Sequence, residues 1–176
     1  SAVEPLSEFR KVNTFATLEL AKQAAKSGVE RFVFISSIKV NGEMTRLGYP
    51  FTPKDHNVPT DPYALSKYEA ENGLKLLAKE TAMEMVIVRP PLVYGPGVKA
   101  NFATMLKWIA KGVPLPFGAV HNKRSLVALD NLVNFIIYCV KHPKAADEVF
   151  LISDEEDVST TELFLKVATA FGVEAK

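Results

Sequence analysis

The apolar positions of this chain switch repeatedly between a helical period and continuous runs, and the switches mark out its elements. In LSEFRKVNTFATLELAKQAAKSG, Phe9, Val12, Ala16, Leu20 and Ala24 fall on one helical face. Ser7 is placed to cap the start of that helix and Gly28 to end it. The next run, RFVFISS, is continuously apolar from Phe32 to Ile35, as in a strand buried on both faces of a sheet. Residues 41–62 are rich in Gly, Pro, Asn and Asp and read as a loop. A second helix has Asp61 as its N-cap and Pro62 at its first position, and runs to about Glu80. MEMVIVRP reads as a second buried strand, and VYGPGVKAN as a loop built on Gly-Pro punctuation.

The rest of the chain continues the alternation. The pattern predicts a helix from about Phe102 to Lys111, the Pro-rich stretch GVPLPFG, and a short strand in SLVAL. Asp130 is a candidate cap for the helix NLVNFIIYCVK, which stops before Pro143. EVFLIS reads as a strand, and Ser159 as the cap of a last helix, TTELFLKVATAF, ending at Gly172. Strands alternating with helices predict an α/β layer structure with a parallel sheet.

Composition narrows the class without changing this picture. A chain of 176 residues is long enough for one domain with a real core. Its 48% hydrophobic and 23% charged content is that of a globular protein. A net charge of +1 points to neither nucleic acid nor a membrane surface as partner. No apolar run reaches the roughly 18 residues that span a bilayer, and the opening SAVEPLSEFRKVN lacks a signal-peptide pattern. The one cysteine, Cys139, lies in an apolar helical stretch and reads as a buried thiol in a reducing compartment. A cytoplasmic protein is expected. There is no internal repeat or low-complexity tract. His56, His121 and His142 have no metal-ligand spacing, so no metal is expected.

The candidate chemistry sits in DPYALSKYEAEN, where Tyr63 and Lys67 are four apart on one helical face. A lysine cation beside a phenol stabilises the phenolate, which makes tyrosine usable as an acid or base near neutral pH. The spacing alone is common, so the neighbours matter. The strand RFVFI ends in Ser36-Ser37, and the carboxyl end of a buried parallel strand is where α/β folds hold ligands. One of these two hydroxyls is expected to do no more than tie down the loop. The strand MVIVRP also ends in a loop, so two strand ends and one helix start converge.

The order of these parts (VNT on a helix, a strand, SSxxVxG, YxxxK, a strand, RPxxVYGP, then KRS before a capped helix) resembles the extended short-chain dehydrogenase/reductase family. More closely it is similar to the NAD-dependent nucleotide-sugar epimerases and dehydratases. The resemblance covers essentially the whole chain. It implies a partial Rossmann-like, doubly wound parallel sheet. Residues 1–93 would be the second half of the NAD-binding domain. Residues 94–176 would be a mixed substrate-binding segment with the remaining Rossmann elements. It implies that Ser37 holds the sugar 4-hydroxyl, that Tyr63 takes its proton, and that Lys67 lowers the Tyr63 pKa and bonds the nicotinamide ribose. Asn13 would lie near the cofactor, with Pro90 to Val93 flanking the nicotinamide. Asn101 and Phe102 would begin the grip on the nucleotide-sugar, and Arg124 would pair with its diphosphate. Family members commonly dimerise through helices that correspond here to residues 7–27 and 62–80.

Three departures qualify the resemblance. After Ser37 the chain reads Ile38-Lys39, where the 4,6-dehydratases carry an acid pair, so epimerisation or simple reduction is expected rather than dehydration. The usual Val-Tyr-Gly is Val40-Asn41-Gly42. None of the nine glycines forms the glycine-rich turn that cradles dinucleotide phosphates. The chain therefore reads as a fragment of a longer enzyme, expected to bind NAD poorly by itself. The leading expectation is a UDP-hexose 4-epimerase. A nucleotide-sugar 4-reductase or dehydrogenase uses the same three residues, and a non-catalytic module on the same scaffold would need none of them.

Overall fold

The computed structural model describes residues 4–46, 48–55, 57–97, 122–170 and 172. The helix expected at 102–111 and the residues Asn101 and Phe102 lie outside them.

The chain opens with continuous helical winding in three parts: α1 (Pro5–Phe9), a π-helical stretch (Arg10–Ala16) and α2 (Thr17–Lys26). Ser7 is not the cap. Pro5, with its pre-set φ, starts the helix behind an extended Glu4, and Ser7 falls in the first turn. The expected apolar stripe also faces differently. Thr14 and Ala21 are buried and Leu18, Ala24 and Ala25 pack on the core, whereas Val12 is 69% and Leu20 59% exposed. The cause is the winding: π turns bond i to i+5, so a 3.6-residue template loses register across Arg10–Ala16.

β1 (Arg31–Ile35) follows, then a 3-10 turn at Ile38–Val40, then α3 (Pro62–Glu80). Asp61 caps α3 as the sequence predicts, accepting from the Ala64 N–H at 2.9 Å with Pro62 behind it. α3 lies close to α2: a Cβ on Gly73 would sit 2.6 Å from a Leu18 methyl. β2 (Glu84–Arg89) is central in a parallel sheet ordered β1-β2-β5, with β5 at Val149–Leu151. The register pairs Ile35 with Val88 and Arg89 with Leu151. Met85 to Arg89 are all buried, as a central strand requires. β1 is not buried on both faces. It is an edge of this sheet, and only Phe34 along it is buried.

One compact unit comprises Ser1–Pro90 and Val133–Ile152. Its core joins Ala21, Phe34, Ala70, Leu74, Met83, Met85 and Ile87. The second comprises Pro91–Leu132 and Ser153–Lys176. There β3 (Leu92–Tyr94), a strand inside a stretch expected to be loop, pairs in parallel with β4 (Leu126–Ala128). Three residues are too few for a periodic signal. α4 (Leu129–Lys141) starts directly from β4, so Asp130 lies in its first turn instead of capping it, a place the helix dipole favours for a carboxylate. α5 (Thr160–Ala170) is capped by Ser159 as predicted. Among the described residues no helix is long and apolar enough to cross a membrane.

Candidate active site

The carboxyl ends of β1 and β2 and the first turns of α3 meet in the first unit, and the local sequence explains why. β1 runs out of apolar residues at Ile35. Ser36 stays buried and donates its N–H to the Val88 carbonyl at 2.7 Å. Two residues on, the Ile38 N–H donates to the Pro90 carbonyl at 3.0 Å. Between these anchors half-buried Ser37 caps the Ile38–Val40 turn, its hydroxyl accepting from the Lys39 N–H at 3.3 Å. Proline at 90, which has no N–H of its own, offers only its carbonyl to this contact.

Tyr63 sits in the first turn of α3, half-buried, with its ring edge-on to Phe9 at 5.6 Å. Burial raises its pKa above the ordinary phenol value, the Ser37 hydroxyl pulls it down by hydrogen bonding, and the Asp61 carboxylate pushes it up. The Ser37 hydroxyl thus lies within reach of the Tyr63 phenol. Lys67 is engaged elsewhere. The Lys67 ammonium donates to the Ile35 carbonyl at 3.0 Å and lies 4.7 Å over the Phe34 ring. Burial lowers its pKa, and Glu71 one turn on opposes that. Spacing of i, i+4 put both side chains on one face, but the long lysine stem reached a backbone acceptor that the spacing could not foretell. Lys39 stands 3.9 Å from the Asp61 carboxylate, joining the turn after Ser37 to the cap of α3.

The other candidates are distributed. Asn13, on the π-helical stretch, donates from its amide to the Ser66 hydroxyl at 3.0 Å. Thr14 donates to the Ser66 carbonyl at 2.8 Å, and Ser66 donates to the Tyr63 carbonyl at 2.7 Å. Pro90 is buried at the end of β2, and Val93 is half-buried in β3. Arg124 is exposed, its backbone bridging to Val158 in the second unit. His142 stacks on Tyr138 and its Nδ1 accepts from the Lys144 N–H, while His56 and His121 lie outside the described residues. Cys139 is buried, and burial pushes its thiol pKa up. Among the described residues no cluster of His, Cys, Asp and Glu is arranged to hold a metal.

Sequence reasoning missed a buried polar network beneath the site. Arg89 donates from Nε and Nη2 to the two carboxylate oxygens of Glu71 at 2.9 and 2.5 Å. Its Nη1 donates to the Asn41 side-chain oxygen at 2.9 Å, and Ser36 donates to Glu71 at 2.6 Å. Glu71 and Arg89 are 1% and 2% exposed. The available signal was a charged residue closing the otherwise apolar strand MVIVR, with Glu71 four residues beyond Lys67.

A hydroxyl after β1 and a phenol and an ammonium on the first turns of α3 form a donor set suited to moving one proton on and off a substrate hydroxyl. They fit the nicotinamide end of a dinucleotide, although the sequence holds no glycine-rich turn for its phosphates. The chain is 58% identical over 168 residues to UDP-glucose 4-epimerase of Vibrio cholerae, covering 95% of this chain and 51% of that protein. It spans about half the length of the curated relatives it matches. The crystal structure of UDP-glucose 4-epimerase with UDP-glucose from Thermotoga maritima superposes with a TM-score of 0.85 at 25% identity, over 98% of this chain and 57% of that one. The fold is also that of UDP-glucuronic acid 4-epimerase from Bacillus cereus, at TM-score 0.88 and 20% identity, over 100% of this chain and 58% of that one. Residues 1–153 match the model of one family, and the chain belongs to it: the NAD dependent epimerase/dehydratase family.

Proposed function

We propose that this chain carries the catalytic residues of an NAD-dependent 4-epimerase acting on a UDP-linked hexose. The observation that carries the reading is the Ser37 hydroxyl within reach of the half-buried Tyr63 phenol where β1 ends. The 58% identity to a UDP-glucose 4-epimerase supports the substrate class. Tyr63 takes the proton from the sugar 4-hydroxyl and later returns it. Ser37 holds that hydroxyl and stabilises the phenolate. Lys67, already poorly solvated, supplies a cation to the same pocket. Bound NAD would accept the hydride from C4 and give it back. Pro90 and Val93 would flank its nicotinamide, and Asn13 would act near it. Arg124 would pair with the substrate diphosphate, and Asn101 and Phe102 would meet the nucleotide.

Residues 1–93 serve as part of the cofactor-binding domain in this reading. Residues 94–176 mix substrate-binding and remaining cofactor-domain elements. The partner is a nucleotide-sugar, with neither nucleic acid nor membrane involved, and the setting is the cytoplasm. A second copy of the chain would pack on the helices at 7–27 and 62–80, where Val12, Phe15, Leu20 and Leu76 are exposed.

The test is interconversion of UDP-glucose and UDP-galactose by the full gene product carrying this chain, with NAD added. Tyr63→Phe is expected to lower kcat by about 10²- to 10⁴-fold, the contribution of a positioned acid/base. Full activity in that variant sinks the assignment. Reduction of a 4-keto nucleotide-sugar without interconversion would replace epimerase by reductase.

A further inference from the structure

The buried network under the site is costly as a stability device, because two charges withdrawn from water gain little over well-packed apolar side chains. Its placement suggests another use. Ser36 and Asn41 bracket the Ser37 turn, and both bond to it: Ser36 to Glu71 at 2.6 Å, Asn41 to Arg89 at 2.9 Å. Asn41 is itself 1% exposed and extends the tie outward, donating to the Thr52 carbonyl at 2.7 Å and to Asp55 at 3.3 Å. The two charges come from the other elements of the site. Arg89 closes β2 just before Pro90, and Glu71 lies one turn past Lys67 on α3, with Lys75 3.8 Å away on its outer side. The ion pair thus binds the ends of β1 and β2 to α3 at one point.

We propose that Glu71 and Arg89 are positioning residues that hold the Ser36–Asn41 turn, and hence the Ser37 hydroxyl, against Tyr63. The bidentate fork fixes direction as well as distance, which a single contact or an apolar pair could not do. Hydroxyl placement within a fraction of an ångström matters, because misplacement by about 1 Å can cost about 100-fold in rate. This inference rests on the Ser37–Tyr63 pairing proposed above.

The experiment reads Tyr63 directly. The chain is labelled with ¹³C at tyrosine Cζ, the Tyr63 signal is identified by its loss in Tyr63→Phe, and its titration is followed in four proteins: parent, Ser37→Ala, E71Q/R89M, and the three changes combined. Asp61, whose carboxylate acts on Tyr63, and Lys39, 3.9 Å from Asp61, are the same in all four, as is Lys67. Ser37→Ala should move the titration upward by removing the hydrogen bond to the phenolate. E71Q/R89M should move it upward too, and the combination no further than Ser37→Ala alone, since coupled sites are not additive. A Tyr63 titration unmoved by E71Q/R89M overturns the proposal, as does an equal rise whether or not Ser37 is present. A titration indifferent to Ser37→Ala overturns the Ser37–Tyr63 pairing and this inference with it. If E71Q/R89M does not fold, Ser36→Ala takes its place: it leaves the ion pair intact and should raise the titration, and no change overturns the proposal. In the full gene product the same variants should lower kcat roughly 10- to 100-fold with KM nearly unchanged. A loss in KM alone contradicts positioning.

Discussion

Asp154 illustrates how much one side chain can organise. Its carboxylate accepts from the Tyr94 hydroxyl at 2.9 Å, the Ala128 N–H at 2.9 Å and the Asn131 amide at 2.8 Å. The Asn131 bond, with those from Ala128 and Tyr94, holds its pKa below the ordinary 3.8. A carboxyl depressed in the folded state adds stability above its unfolded pKa, and that stability is lost as pH falls through the folded value. The melting midpoint of the parent should therefore drop more steeply than that of Asp154→Asn as pH is lowered from neutral to about 3. Parallel curves would remove Asp154 as a contributor. The sequence carried no sign of this hub, because its donors are 23 to 60 positions away. Ser37 and Tyr63 could be singled out from the sequence because a local pattern carries each. The orientation of Lys67 was not, since a flexible stem chooses among acceptors that only the folded chain presents.

The elements with strong local signals formed where expected: α3 behind Asp61-Pro62, β2 on the apolar run at residues 85–88, α5 behind Ser159. The last is a reciprocal cap, the Glu162 N–H donating to Ser159 Oγ at 3.0 Å and the Ser159 N–H to Glu162 at 2.6 Å. That bond and the Ser159 hydroxyl keep the Glu162 carboxyl below its usual range. Ser159→Ala should cost about 1 kcal/mol in urea unfolding, with Ser159→Gly costing less. An unchanged midpoint would mean that α5 is held by packing alone. The elements that were misread had weak local signals: β3 has three residues, and the first helix changes its winding halfway. That change turned the predicted stripe outward and left Thr14 and Ala21 to meet the core.

At the scale of the molecule, the outward stripe becomes a prediction of assembly. Exposed Val12 and Leu20 are expected to be covered by a second copy, so Val12→Glu with Leu20→Glu should convert a dimer to a monomer in sedimentation without lowering the melting midpoint. A parent that sediments as a monomer at high concentration removes the dimer. Parallel alternation made the α/β class legible from sequence, whereas only the resemblance, and no local signal, suggested a boundary after residue 93. The chain leaves the first unit at Pro91, returns at Val133 and leaves again after Ile152. No composition shift marks those passages.

The π-helical stretch carries a consequence for how this chain can change length. Its seven residues, Arg10–Ala16, hold Asn13 and Thr14 against Ser66, which is bonded to the carbonyl of Tyr63. The wide turns already hold more chain per turn than an ordinary helix, so losing one residue and rewinding at about 3.6 per turn would leave the segments on either side facing nearly as they do now. What would change is the stretch itself, which carries the bonds to Ser66. A single lost codon here would be absorbed by the rest of the helix and felt where it meets the tyrosine-bearing one.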